Sequence, residues 1–137
     1  MKTILTLFFI GILSLTTNAQ EFKFDAETID YGKIDKGADG VRTFTFTNIG
    51  DQPLIIKDIK SSCGCTIPEK PKKPILPNEK GTIKVSYNTN IIGGFSKSIT
   101  ILSNVKKERT VIKIKGFVYD GVTLEKEKSM LSNENLF

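Results

Sequence analysis

The sequence has 137 residues, a net charge of +5, two cysteines, and neither histidine nor tryptophan. Without histidine, Ser–His and Cys–His nucleophilic catalysis and histidine-bearing zinc sites are excluded, and no glycine-rich phosphate loop or nucleotide fingerprint is present. The length suits one domain with one modest core.

Lys2, the apolar run Ile4–Leu15 and the small residues Thr17-Asn18-Ala19 have the make-up of a signal peptide cleaved before Gln20. The run is shorter than the ~20 residues that span a bilayer. No transmembrane segment is therefore expected after cleavage, a retained anchor being the alternative. The expected parts are a signal peptide over 1–19, one domain over 20–120 and a C-terminal tail over 121–137, in a periplasmic or secreted protein. Loss of Lys2 lowers the net charge to about +4. Export argues against nucleic acid as a partner and leaves an anionic envelope surface or a solvated, lysine-rich exterior.

From Glu21 to Ile34 the pattern predicts one or two short strands, with Phe22 and Phe24, then Ile29 and Tyr31, alternating. Asp25, Glu27, Asp30 and Asp35 in this region read as a solvated edge. Lys36–Gly40 is a turn. Val41–Asn48 is the clearest strand, with Arg42, Phe44 and Phe46 on one face and Val41, Thr43, Thr45 and Thr47 on the other. After a turn over Asn48–Pro53, Leu54–Ser61 is a strand whose alternation slips between Ile56 and Ile59. A bulge or burial on both faces would account for the slip. Lys80–Asn88 points Ile83, Val85 and Tyr87 inward. Gly93-Gly94 reads as a turn, Phe95–Asn104 as a strand, Val105–Arg109 as a charged turn, and Thr110–Asp120 as the closing strand. About seven short strands at regular spacing with no amphipathic helix predict an all-β, immunoglobulin-like antiparallel sandwich. The tail reads as flexible, or as a peptide that docks on a partner or on the domain's own edge.

Between the strands lies the stretch with the most distinctive chemistry. Pro68, Pro71, Pro74 and Pro77 are three residues apart, which would line one edge of a polyproline II rod. Proline also suits a sheet edge and blunts it against pairing. Gly64, Thr66, Lys70, Lys72 and Lys73 complete a candidate binding arm running from Cys63 to Pro77. Gly64 permits a tight bend, so the sulfurs of Cys63 and Cys65 can meet. Three outcomes are open: a local disulfide able to exchange with other thiols, a soft metal site for Cu(I), or for zinc shared by two chains, and a purely structural pair of small hydrophobes.

Several segments resemble a bacterial family of exported domains of unknown function: Ile29-Asp30-Tyr31-Gly32-Lys33-Ile34, Phe44-Thr45-Phe46-Thr47-Asn48-Ile49-Gly50, Ser62-Cys63-Gly64-Cys65-Thr66, Gly93-Gly94-Phe95 and Ile114-Lys115-Gly116. Pro77-Asn78-Glu79 stands where the family usually has Pro-Gly-Glu, and asparagine also tolerates a left-handed backbone. The resemblance covers roughly Glu21 to Asp120, and more distantly includes Hydin-type, major-sperm-protein and PapD-like sandwiches. It implies the sandwich, export and a non-enzymatic role, and no substrate. The reading is thus an exported binding or structural module of the cell envelope, without catalytic residues or cofactor. Its partner would be another envelope protein or a peptide, paired on a sheet edge. A thiol–disulfide or Cu(I)-handling protein acting through Cys63 and Cys65 is the alternative.

Overall fold

A computed structural model describes residues 21–105, 109–121, 126 and 128–131. The expected signal peptide lies outside the described residues, as do positions 106–108 of the charged turn. Eight strands follow one another: β1 (Phe22–Phe24), β2 (Thr28–Asp35), β3 (Val41–Asn48), β4 (Ile56–Ser61), β5 (Thr66–Glu69), β6 (Lys80–Tyr87), β7 (Gly93–Ser103) and β8 (Arg109–Tyr119). They form two four-stranded sheets, in the orders β1-β3-β6-β5 and β2-β8-β7-β4. Lettered in the immunoglobulin manner, these are A-B-E-D and A′-G-F-C, the constant-type layout with one added edge strand.

Alternation produces the core. On β3 and β6, Phe44, Phe46, Ile83, Val85 and Tyr87 are buried. From the other sheet Ile99, Ile101, Ile112, Ile114 and Val118 face them, each at 0% exposure. Two sheets, each apolar on one face, bury those faces against each other. Where the inward row meets a bulky neighbour, glycine takes the place of a side chain. A Cβ on Gly81 would lie 2.4 Å from Phe46 Cζ, and one on Gly116 would lie 2.8 Å from Tyr31 Cβ. The freed space lets Tyr31 and Phe95 meet edge to face, with Tyr87 stacked on Phe95 at 3.8 Å. Arg42, which sequence periodicity puts on the inward face, lays its guanidinium over Tyr31 at 4.4 Å from the ring centre.

Three details depart from the sequence expectation. Pairing is antiparallel except for β2, which runs parallel to β8 with a register shift between Asp30 and Lys33. The chain crosses there from the β1 sheet to the opposite sheet, arriving in the same direction as the last strand. Gly93-Gly94 is the first part of β7 rather than a turn, because β8 extends far enough to pair Gly93 with Val118. Gly93 has φ +113°, so the turn geometry ends in the strand's first residue. The slip in the fourth strand is a bulge: its register against β7 shifts between Ile56 and Asp58.

The proline stretch is not one rod. Pro68 lies within β5, an edge strand, in register with Val85. The chain then bends at Lys72 and Lys73 and turns at Pro77 and Asn78. Burial decides this. Ile75 is 8% exposed and is joined to Leu54 by a two-way backbone bridge, Leu54 N donating to Ile75 O (2.8 Å) and Ile75 N to Leu54 O (2.9 Å). Asn48, fully buried, clamps the bend. Its Nδ2 donates to Gln52 O (2.8 Å) and Ile75 O (2.9 Å), and its Oδ1 accepts from Gly50 N (3.0 Å). Asn78 has φ +63°, the left-handed backbone its place in the Pro-Asn-Glu turn requires. In the tail, Gly121, Lys126 and residues 128–131 are helical, with Met130 and Leu131 exposed.

Candidate functional site

Cys63 and Cys65 are joined by a disulfide, with Cα atoms 5.3 Å apart. The bond closes the loop that carries the chain from β4 in one sheet to β5 in the other. The loop is anchored on both sides independently of the sulfurs. Ser62 N donates to Ser98 O (2.9 Å), and Ser98 N to Ser62 Oγ (3.1 Å). Asn88 N donates to Cys65 O (2.9 Å). Thr66, 3% exposed, lies beneath the bond with Oγ1 3.7 Å from Cys63 Sγ and 3.9 Å from Cys65 Sγ. A disulfide sulfur carries no proton, so the threonine hydroxyl is the donor. Gly64 is exposed, and the position of a Cβ on it has nothing within 4 Å.

Two further loops meet this one. Gly37 N donates to Thr89 O (3.2 Å), Thr89 Oγ1 to Ala38 O (2.7 Å) and Tyr87 N to Gly40 O (3.0 Å). Gly40 has no room for a side chain, since its Cβ would overlap Tyr87 O. Tyr31 adds a buried bond from its hydroxyl to Gly40 O (2.8 Å). Burial raises the Tyr31 phenol above its ordinary value, an effect partly offset by Arg42. The loops β2–β3, β4–β5 and β6–β7 thus form one braced end of the sandwich.

The outer face of the β1 sheet is polar over most of its area, with Thr43, Thr45 and Thr47 on β3 and Thr82 and Lys84 on β6. It becomes apolar only near the braced end. There Val41 and Ile67, 43% and 65% exposed, flank Ser86 in register. With Glu69 and Lys84 they line a shallow groove of about 230 Å³. Ile91 and Ile92, also exposed, belong to the β6–β7 loop at the same end. Ile67 is the most exposed large apolar side chain among the described residues. The sequence expectation of one extended arm from Cys63 to Pro77 places no strand over Thr66–Glu69 and so gives Ile67 no face. A period-2 count from buried Thr66 would have turned it outward.

The expected binding arm is therefore divided. Cys63, Gly64, Cys65 and Thr66 sit at the braced end, and Pro68 lies on the β5 edge. Pro71, Lys72, Lys73, Pro74 and Pro77 belong to the loop that leads toward the opposite end. Lys70 Nζ caps Lys57 O on β4, close to β5. The early carboxylates are exposed. Asp30 is held below the usual carboxylate range, first by the Gly32 N–H and then by Lys115 (3.3 Å). Asp35 raises the Tyr119 phenol through a hydrogen bond. Among the described residues, no group of three or more Cys, Asp or Glu is placed to hold a metal, and no helix is long and apolar enough to cross a membrane.

The strand order and two-sheet layout define an immunoglobulin-like β-sandwich. The family described as Protein of unknown function (DUF1573) matches residues 22–118, and the chain belongs to it. Among solved structures, the chain is similar to a protein of unknown function from Porphyromonas gingivalis W83 (TM-score 0.66, 15% identity, 76% of this chain and 50% of that one). It is also similar to the ASH/PapD-like domain 7 of human CEP192 (TM-score 0.63, 7% identity, 82% and 94%) and to the Vibrio cholerae VesB protease (TM-score 0.59, 14% identity, 74% and 32%). The chain spans half the length of the first and about a third of the protease, and at these identities what is shared is the fold. No curated protein matches the sequence.

Proposed function

We propose that the protein is an exported, non-enzymatic binding module of the cell envelope that takes an extended polypeptide segment along β5. The observation that carries this reading is the change in character of the outer sheet face. A surface of threonine and lysine becomes apolar only at Val41 and Ile67, beside an edge strand whose outer side is unpaired among the described residues. A strand added there would pair with the β5 backbone and set alternate side chains against these two residues. The other edges suit a guest less well. β1 has three residues, β2 is interrupted at Gly32, and β4 is bulged with its Lys57 carbonyl taken by Lys70. The proline in β5 and its short length restrict how much of a guest strand can pair, which fits transient binding more than permanent assembly. Export rests on the signal-peptide pattern of the first nineteen residues.

The test is a photo-crosslinking amino acid placed at Ile67 in the full chain, expressed in its own cell envelope, with Thr82 as the control site on the same face. A discrete adduct from position 67, absent from 82 and lost when Val41→Lys is added, is the expected result. Equal labelling from both sites, or no adduct from either, would refute the reading.

A further inference from the structure

We propose that the Cys63–Cys65 disulfide is a thiol-exchange site: it opens by reaction with an incoming thiol while the sandwich stays folded. This inference is independent of the β5 reading and rests on different atoms. The bond spans a sequence separation of two, so it restrains very little of the unfolded chain. The loop flanks are held by the Ser62–Ser98 pair and by Asn88 N to Cys65 O, none of which involves sulfur. Opening the bond therefore leaves β4 and β5 in place. Both cysteines are partly exposed, and the space above Gly64 is open to an approaching group. These are the only two cysteines of the chain, so no third thiol of the same molecule can compete.

The two sulfurs are not equivalent. Cys65 packs against the hydrophobic core, whereas Cys63 does not. Cys63 Sγ, the sulfur not packed on the core, is assigned as the one attacked. The incoming thiol releases its proton to solvent, and its thiolate bonds to Cys63 Sγ. The Cys63–Cys65 bond breaks, and Cys65 Sγ leaves with the electron pair as a thiolate. Thr66 Oγ1, 3.9 Å from that sulfur, donates a hydrogen bond to the new charge. A thiolate stabilised in this way is a better leaving group. When the incoming molecule carries a second thiol, that thiolate attacks its own sulfur in the mixed disulfide and expels Cys63. The protein's disulfide is then reduced to two thiols, and the two thiols of the partner are oxidised to a disulfide. Thr66 is a positioning residue in this scheme. The chemistry required of the partner is a thiol, supplied either by a small molecule or by a cysteine-bearing polypeptide.

The experiment uses the mature protein equilibrated in glutathione buffers from fully oxidised to fully reduced. Thiols are trapped with acid and alkylated, and intact mass is read. Half-reduction within the attainable glutathione range is expected, with the reduced protein still folded and melting about 6–12 °C below the oxidised one. Cys65→Ser, which leaves Cys63 free, is expected to form a one-to-one mixed disulfide with oxidised glutathione. A bond that stays closed in the most reducing glutathione buffer, or a fold that melts on reduction, would overturn the proposal. Exchange with a peptide carrying two cysteines, at least tenfold faster than with glutathione, identifies a polypeptide as the source of the thiol. The reverse order identifies a small thiol. In reduced protein, Thr66→Val is expected to move the pH midpoint of Cys65 alkylation upward and to slow exchange several-fold, and Thr66→Ser to restore both. An unmoved midpoint would overturn the role given to Thr66.

Discussion

Asn48→Ala tests how the end of the sandwich opposite the disulfide is held. The side chain has no exposed surface and makes three hydrogen bonds, to Gln52 O, Ile75 O and Gly50 N. Each is worth about 1 kcal/mol net when lost with its partner left behind, so the change costs about 3 kcal/mol. Ile75 O keeps its bond from Leu54 N, which holds the figure to that level rather than higher. In a domain of this size 1 kcal/mol moves the melting temperature by about 4–8 °C. The variant is therefore expected to melt on the order of 15 °C below the parent, read by thermal unfolding followed by far-ultraviolet circular dichroism. Asn48→Asp keeps the shape but faces two carbonyl oxygens with an acceptor, and is expected to be at least as damaging. An Asn48→Ala protein melting within about 3 °C of the parent would show that the clamp is not what fixes the proline loop.

Four further outcomes are expected. Changing both cysteines to serine closes no loop and removes only the entropy of a three-residue ring, about 1.5 kcal/mol in the chain-entropy account, so chemical denaturation should show a small shift with an unchanged slope. Gly81→Ala places a methyl group against Phe46 and Ile75 and should cost about 1–3 kcal/mol by the same assay; an unchanged midpoint would mean that the Phe46 ring and Ile75 move aside without loss of packing. Ser103 Oγ is buried with no hydrogen-bond partner among the described residues, so Ser103→Ala should leave stability unchanged or raise it by up to about 1 kcal/mol, and a clear loss would reveal a partner for that hydroxyl. Asp30 has a depressed folded-state pKa, so its contribution is present above the ordinary carboxylate value and is lost as pH falls through the folded value. The melting temperatures of the parent and Asp30→Asn should differ near neutral pH and converge in acid below that value, and a difference that persists there would refute the assignment.

Local pattern made most of the strands legible, because a strand with one buried face must alternate. Val41–Asn48 is a strand because Phe44 and Phe46 recur every second residue among threonines, and any fold that buries one face of it would show the same pattern. The disulfide was open as one of three outcomes for Cys63-Gly64-Cys65, and the resemblance marked Asn78, standing where the family usually has glycine, as a residue that tolerates the left-handed backbone it adopts. Tertiary structure alone decided the rest. The parallel pairing of β2 with β8 joins residues more than eighty positions apart, and nothing local to Ile29 or Ile114 records it. The proline spacing favoured an extended rod, and burial of Ile75 against Leu54 overrode it, since core contacts outweigh a weak local preference. Asn48 looked like a turn residue and is a buried clamp, because beside its local partners Gly50 N and Gln52 O it also holds Ile75 O, in a loop 27 residues away. The apolar pair Val41 and Ile67 exists only because β3 and β5 both pair with β6, which sets two distant side chains on either side of Ser86. Periodicity along a chain determines which side of each strand is buried; which strands become neighbours depends on the packing of the whole core.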